Sequence, residues 1–232
     1  MARVNLRRRL AACLGVIVVC AALNLISPAV IAHQRTLRPG DYTMRFDAAS
    51  PGDRATTQTQ TQTHTRTVTL TKAPKQLNAV VTVDGEEVDH FPIDPSTAFP
   101  AKGRAGLGPF LPYRPERRSY PLFDTAAGRD VALDYVGPGS VRGLETSKYA
   151  ATLSDGCTRT VDAERRTGRI VDEVWDCPPE QWVLAEESKA AAVDAARRDV
   201  VWLRGLQVMA VLTRFTAAAA FIVGLVSYAR RR

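Results

Sequence analysis

Two apolar runs, one near each end and both flanked by arginine, constrain this 232-residue chain more than any other feature. The first, residues 10–26, contains one polar side chain, Asn24, and extends past Pro28 to Ile31. At about 1.5 Å per residue, 10–31 is long enough to cross a hydrocarbon core of roughly 30 Å. The second run is harder to delimit. Residues 215–229 are short for a span, and extension back to Leu206 takes in Arg214. An arginine is expensive at a span's centre but snorkels to the interface near an end. Arg214 sits roughly 10 Å inside the outer boundary by the same rise. Simple snorkelling is therefore the favoured reading. The functional alternative has Arg214 contacting an ion, a lipid headgroup or a partner helix, which makes it the candidate functional residue of the membrane part.

The flanks set an orientation. Arg3, Arg7, Arg8 and Arg9 precede the first run, Arg230, Arg231 and Arg232 follow the second, and neither tail holds an acid. The positive-inside rule then predicts both termini in the cytoplasm and the intervening domain outside the inner membrane. Removing those seven arginines from 31 basic residues leaves 24, against 24 acids. The net charge of +7 thus belongs to the tails alone, and no basic stripe with aromatic residues argues for nucleic acid. A cleavable signal peptide is the rival reading of the first run, with small residues near Ala32. The length of the run favours an uncleaved anchor. Cys13 and Cys20, seven apart, share a helix face as small hydrophobes.

The expected division is a basic tail at 1–9, a span at 10–31, a β-rich extracytoplasmic domain at 32–177, a helical stalk at 178–205, a span at 206–229 and a tail at 230–232. The fold class is membrane-anchored α+β. Thr occupies every odd position from Thr57 to Thr71, a period-2 strand signal with the threonines on one face. It reads as a long edge strand with an exposed Gln-rich start, in preference to a face for a regular lattice such as polysaccharide. Residues 79–83 and 86–91 flank Asp84-Gly85, a type I′ hairpin signature. Asp84, Glu86, Glu87, Asp89, His90 and Asp94 fit no EF-hand spacing and read as a solvent face, not a cation site.

Cys157 and Cys177 are equidistant from Thr167, within an Arg166-Thr167-Gly168 segment suited to a three-residue hairpin loop. Pairing about Thr167 sets the two cysteines opposite one another, and outside the cytoplasm this predicts a disulfide. Pro178-Pro179-Glu180 resembles a helix start, and the Ala-rich 190–196 is strongly helix-forming. A single helix is expected from about Glu180 into the second span, with Gly205 the natural break. The Pro-rich middle, 91–143, reads as short strands and ordered loops.

Several blocks resemble a known family in the family's own order. They are Val88-Asp-His-Phe-Pro-Ile-Asp94, Leu111-Pro-Tyr-Arg-Pro-Glu-Arg-Arg-Ser-Tyr120-Pro121-Leu-Phe-Asp124, Gly143-Leu144-Glu145-Thr146 and the Thr167-Gly168 hairpin. With one apolar run at each end, they are similar to the actinobacterial porin PorA family of envelope proteins. The Tyr-Pro…Asp block is the most specific part. The resemblance implies pore formation. Two helices cannot enclose a water path alone, and the sequence shows no long alternating strands of a transmembrane barrel. A pore therefore requires an oligomer with Arg214, Thr213 or Thr216 turned inward.

No constellation carries catalysis. Ser154-Asp155-Gly156 is not a nucleophile elbow, and His33, His64 and His90 are too scattered for a triad or a zinc site. No metal or cofactor is expected. The residues alone favour a membrane-tethered interaction or assembly module of the bacterial cell envelope. Its partners would be membrane lipid, an envelope protein or polysaccharide. The alternative is the oligomeric porin-like channel.

Overall fold

A computed structural model of the chain describes residues 2–49 and 62–229. It divides into two compact units, Thr36–Val200 and the pair Met1–Arg35 with Val201–Arg232. The first five positions of the Thr–Gln alternation, 57–61, lie outside the described residues.

Among the described residues, unit Thr36–Val200 holds ten strands: β1 Gly40–Ala49, β2 Thr63–Ala73, β3 Gln76–Val83, β4 Glu86–Ile93, β5 Tyr120–Asp124, β6 Arg129–Val141, β7 Leu144–Thr152, β8 Thr158–Glu164, β9 Ile170–Cys177 and β10 Glu180–Leu184. They form one antiparallel sheet in the order β4-β3-β2-β1-β10-β9-β8-β7-β6-β5. Consecutive strands are neighbours except β4 and β5, which lie at opposite ends of the order, and β10 returns to pair with β1. The sheet's edges are consequently β4 and β5, and β2 is an interior strand, contrary to the edge expected from its threonines. Its threonine face makes polar contacts to β1: Thr43 Oγ1 lies 3.2 Å from Thr67 Oγ1, and Thr69 donates to Asp41 at 2.8 Å. Its other face carries Val68 and Leu70 into the core.

The inner face holds two apolar clusters, Tyr120, Leu122, Tyr149 and Val161 from β5–β8 and Val68, Ala79, Phe91 and Ile93 from β2–β4. The segment 94–119, which joins the two edge strands, fills both: Leu107 and Leu111 enter the first cluster, Ala98 and Phe110 the second. It also covers the edges. Pro100 bridges to Ile93 of β4, and Leu107 bridges to Leu122 of β5. Between them the Arg104 guanidinium lies 3.5 Å from the Phe91 ring and 4.3 Å from the Phe123 ring, paired with Asp89. Open strand edges invite association, and this segment bonds to the Ile93 end of β4 and to Leu122 of β5.

Local chemistry explains the turns. Asp84 and Gly85 both have positive φ, as the type I′ turn requires, and Val83 pairs with Glu86. The β8–β9 loop has four residues, 165–168, where three were expected, because Glu164 and Arg169 still bond across it. Glu164 Oε2 accepts the amides of Arg166 and Thr167 and the Thr167 hydroxyl, which closes the longer loop. Gly168 has φ +72° and passes so near Pro112 that a Cβ there would lie 2.1 Å from the Pro112 carbonyl oxygen.

The expected helix start at Glu180 is instead strand β10. Trp182 and Leu184 pair with Ala48 and Phe46 of β1, and this pairing overrides the Pro-Pro-Glu signal. Helix α2 begins at Glu186 and runs to Ala229 without a break at Gly205. Its first turns are no free stalk. Val193 and Ala196 pack on Val141 and Val171 of the outer sheet face. A β-bulge between Asp162 and Ala163 leaves Val171 unpaired and turns it toward them, and Lys189 reaches Asp172 at 3.0 Å.

The second unit pairs α1, Ala2–Gln34, with the distal part of α2. Both helices are long and apolar enough to cross a membrane. The less exposed positions of α2 recur at Leu203, Leu206, Ala210, Thr213, Ala217, Ala220, Gly224 and Ser227, alternating steps of three and four. On α1 the matching face holds Cys13, Ile17, Cys20, Asn24 and Ser27. Asn24 meets Thr213, and a Cβ at Gly224 would lie 3.8 Å from Cys13 Cβ, so the helices run antiparallel. Small residues along both faces let the backbones approach closely.

Candidate functional site

Arg214 lies beside the one polar side chain of the first apolar run. Asn24 Nδ2 donates to Thr213 Oγ1 at 2.8 Å and to the Cys20 carbonyl at 2.9 Å, and its Oδ1 accepts from Arg214 Nε at 3.3 Å. Thr213 is buried in the helix contact, while Arg214 and Thr216 are exposed beside it. Of the three residues named from sequence as pore-facing candidates, Thr213 is thus occupied in holding the helices together. Arg214 is tied back to α1 through Nε and is otherwise exposed.

A second polar group, with no motif to announce it, occupies the inner sheet face between the apolar clusters. Glu173 of β9 is fully buried and receives Arg66 of β2 in a two-pronged contact, Nη1 to Oε1 at 2.8 Å and Nη2 to Oε2 at 2.6 Å. Arg159 Nε and Trp175 Nε1 each donate to Oε1 at 2.9 Å. In the sheet, β1 and β10 separate β2 from β9. The Arg66–Glu173 contact therefore spans two intervening strands and braces the sheet's curvature. Burial pushes the Glu173 carboxyl up, but Arg159 and Arg66 outweigh it and hold the group at about 2. Burial lowers Arg159 from its ordinary value against the pull of Glu173.

The remaining sequence candidates have separate places. Cys157 and Cys177 form the disulfide at the far end of the β8–β9 hairpin. The five acids of the β4 region and His90 do not converge on one site. Asp84 accepts the Thr65 amide and pairs with His64, Asp89 pairs with Arg104, and Asp94 accepts the amide and hydroxyl of Ser96. The Tyr-Pro…Asp block is structural. Tyr120 OH accepts the Glu116 amide, and the neighbouring Tyr149 OH donates to the Glu116 carbonyl at 2.7 Å. Burial raises the Tyr149 phenol to about 12. Burial also pushes the Asp124 carboxyl up, yet the amides of Ser154, Ala127 and Ala126 more than offset this, and its net shift is downward.

These features define a disulfide-bonded antiparallel β domain with a long apolar helix at each end. The porin PorA family model matches residues 36–167, which is more than half of the chain. The chain belongs to the porin PorA family. The match starts after α1 and ends inside the β8–β9 loop, so membership rests on the β domain and on neither apolar helix. No curated protein matches the chain in sequence.

Proposed function

We propose that the protein is a two-pass component of the bacterial cell membrane, with both termini in the cytoplasm and the β domain outside. The observation that supports this reading is where the large apolar side chains lie. On the strands they turn inward, with Val88 and Val136 the exposed exceptions among the described residues. On the helices Leu14, Val18, Leu25, Val208, Phe215 and Ile222 are all more than half exposed. Such surface costs roughly 25 cal/mol per Å² in water and nothing in hydrocarbon. Cysteine probes placed at the two termini should resist labelling from outside intact cells, and labelling at either end would refute the topology.

The porin-type activity carried by the family name is assigned on this reading to the helices. The inner face of the sheet is filled with side chains, and its strands lack the outward apolar band that a lipid-spanning barrel needs. One pair of helices encloses no water path. The conducting unit is then an assembly of helix pairs that turn Arg214 and Thr216 toward a shared axis. Purified protein in planar bilayers should give discrete, anion-preferring steps that R214L abolishes. An inert, monomeric protein would overturn the channel. A non-catalytic envelope module that holds lipid, polysaccharide or another protein would then be the better reading, supported by a packed, disulfide-closed domain with an apolar helix at each end.

A further inference from the structure

We infer that Arg66 and Arg159 form an oxyanion site on the inner sheet face, which takes the phosphate or carboxylate group of an acidic ligand. Residues Arg66 and Arg159 are 8% and 5% exposed, and Glu173 is the one acid paired with either among the described residues. The group therefore buries one positive charge in excess. The neighbouring acids of β8 are committed elsewhere. Asp162 accepts from Thr146 and lies 3.7 Å from Lys148, and Glu164 closes the hairpin loop.

Hydrogen-bonding capacity is left over as well as charge. Arg66 spends Nη1 and Nη2 on Glu173, and its buried Nε has no partner. Arg159 binds Glu173 through Nε, and no protein acceptor for its two terminal nitrogens occurs among the described residues. Arg66 Nη2 also donates to Met44 Sδ at 3.2 Å, and its guanidinium carbon lies 5.2 Å from the Phe46 ring centre. Arg104, stacked on Phe91 and Phe123 with unpartnered nitrogens of its own, differs in that Asp89 matches its charge. An uncompensated buried cation is costly, and a guanidinium fork fits an oxyanion closely.

The group is not sealed in. Above it lie three partly exposed rings: Trp175, 5.2 Å from the Arg159 guanidinium carbon, Trp182, paired with Trp175 across β10 and β9, and His64, 4.1 Å from Trp182. Buried positive charge beneath an aromatic rim suits an acidic group carried on apolar matter, and it suits a free anion equally. The source is for experiment to decide.

The test uses the full chain in neutral detergent, read by tryptophan fluorescence and thermal midpoint. Inorganic phosphate, acetate and dioctanoyl phosphatidate are titrated against chloride at matched ionic strength and against neutral dioctanoylglycerol. A saturable response to any of the three acids, absent with both controls, is expected. A response to phosphatidate alone assigns the site to lipid, and a response to phosphate or acetate assigns it to a free anion. R159Q should weaken binding roughly tenfold or more. E173Q, which raises the excess to two charges, should gain more in midpoint from the same anion than the native protein does. No saturable response in the folded native protein, or unchanged affinity in folded R159Q, would overturn the site. Where R159Q does not fold, an anion response in E173Q no larger than the native one does the same.

Discussion

Glu173→Gln tests the brace across the inner sheet face. The carboxyl is held at about 2 against an ordinary 4.5. At 1.36 kcal/mol per pKa unit this corresponds to about 3 kcal/mol of folding stability. A depressed folded value means that this contribution is complete above the unfolded value, near pH 4.5, and disappears as pH falls toward 2. The Gln variant keeps the shape but leaves two buried guanidinium groups unneutralised, which places its cost at pH 7 at about 3–5 kcal/mol. Urea unfolding followed by tryptophan fluorescence, from pH 7 down to pH 2.5, gives both quantities. Asp84, Asp94, Asp124 and Glu186 are also held below their ordinary values, so both proteins lose stability in acid. The informative quantity is the gap between them. It should be largest above pH 5 and narrow steadily below it. A gap that stays constant with pH, or a variant as stable as the native protein, would show that Glu173 does not carry the brace.

Three further outcomes follow from the packing. Gly168→Ala combines a left-handed backbone, about 1–2 kcal/mol, with displacement of the Pro112 carbonyl, about 1–3 kcal/mol. Its urea midpoint should fall accordingly, and a near-neutral effect would mean that 94–119 does not press on the hairpin. Reducing the Cys157–Cys177 bond, which closes a loop of sequence separation 20, should lower stability by about 3 kcal/mol without loss of the apolar helices' circular dichroism. G224C should form a disulfide with Cys13 under mild oxidation, because the Cβ atoms would lie 3.8 Å apart. Mass spectrometry reads that bond, and its absence would refute the antiparallel helix pair.

The sequence by itself determined whatever depends on neighbours along the chain. Turn chemistry at Asp84-Gly85, the Cys157–Cys177 pairing, the apolar helices and the Ala-rich early turns of α2 rest on local geometry and are realised. The hairpin loop between the cysteines nonetheless has four residues, and a bulge at Val171 restores the register. Part of the site was visible in the same way. Arg214 is the one charge inside its apolar run, and Asn24 the most conspicuous polar group in the other. Arg66 also left a trace, since it takes an even position in β2 that Val68 and Leu70 fill with apolar groups.

Only the tertiary structure decided the rest. Strand β10 exists because β1, more than 130 positions away, offers it an edge, and that pairing overrides the local helix signal. The same closure makes β2 an interior strand and brings Arg66 to Glu173 across 107 positions of sequence. The meeting of Asn24 with Thr213 and Arg214 depends likewise on two helices that no local rule aligns. Periodicity shows which face a side chain occupies. What lies opposite that face is set by how the whole chain satisfies its buried strands and charges together.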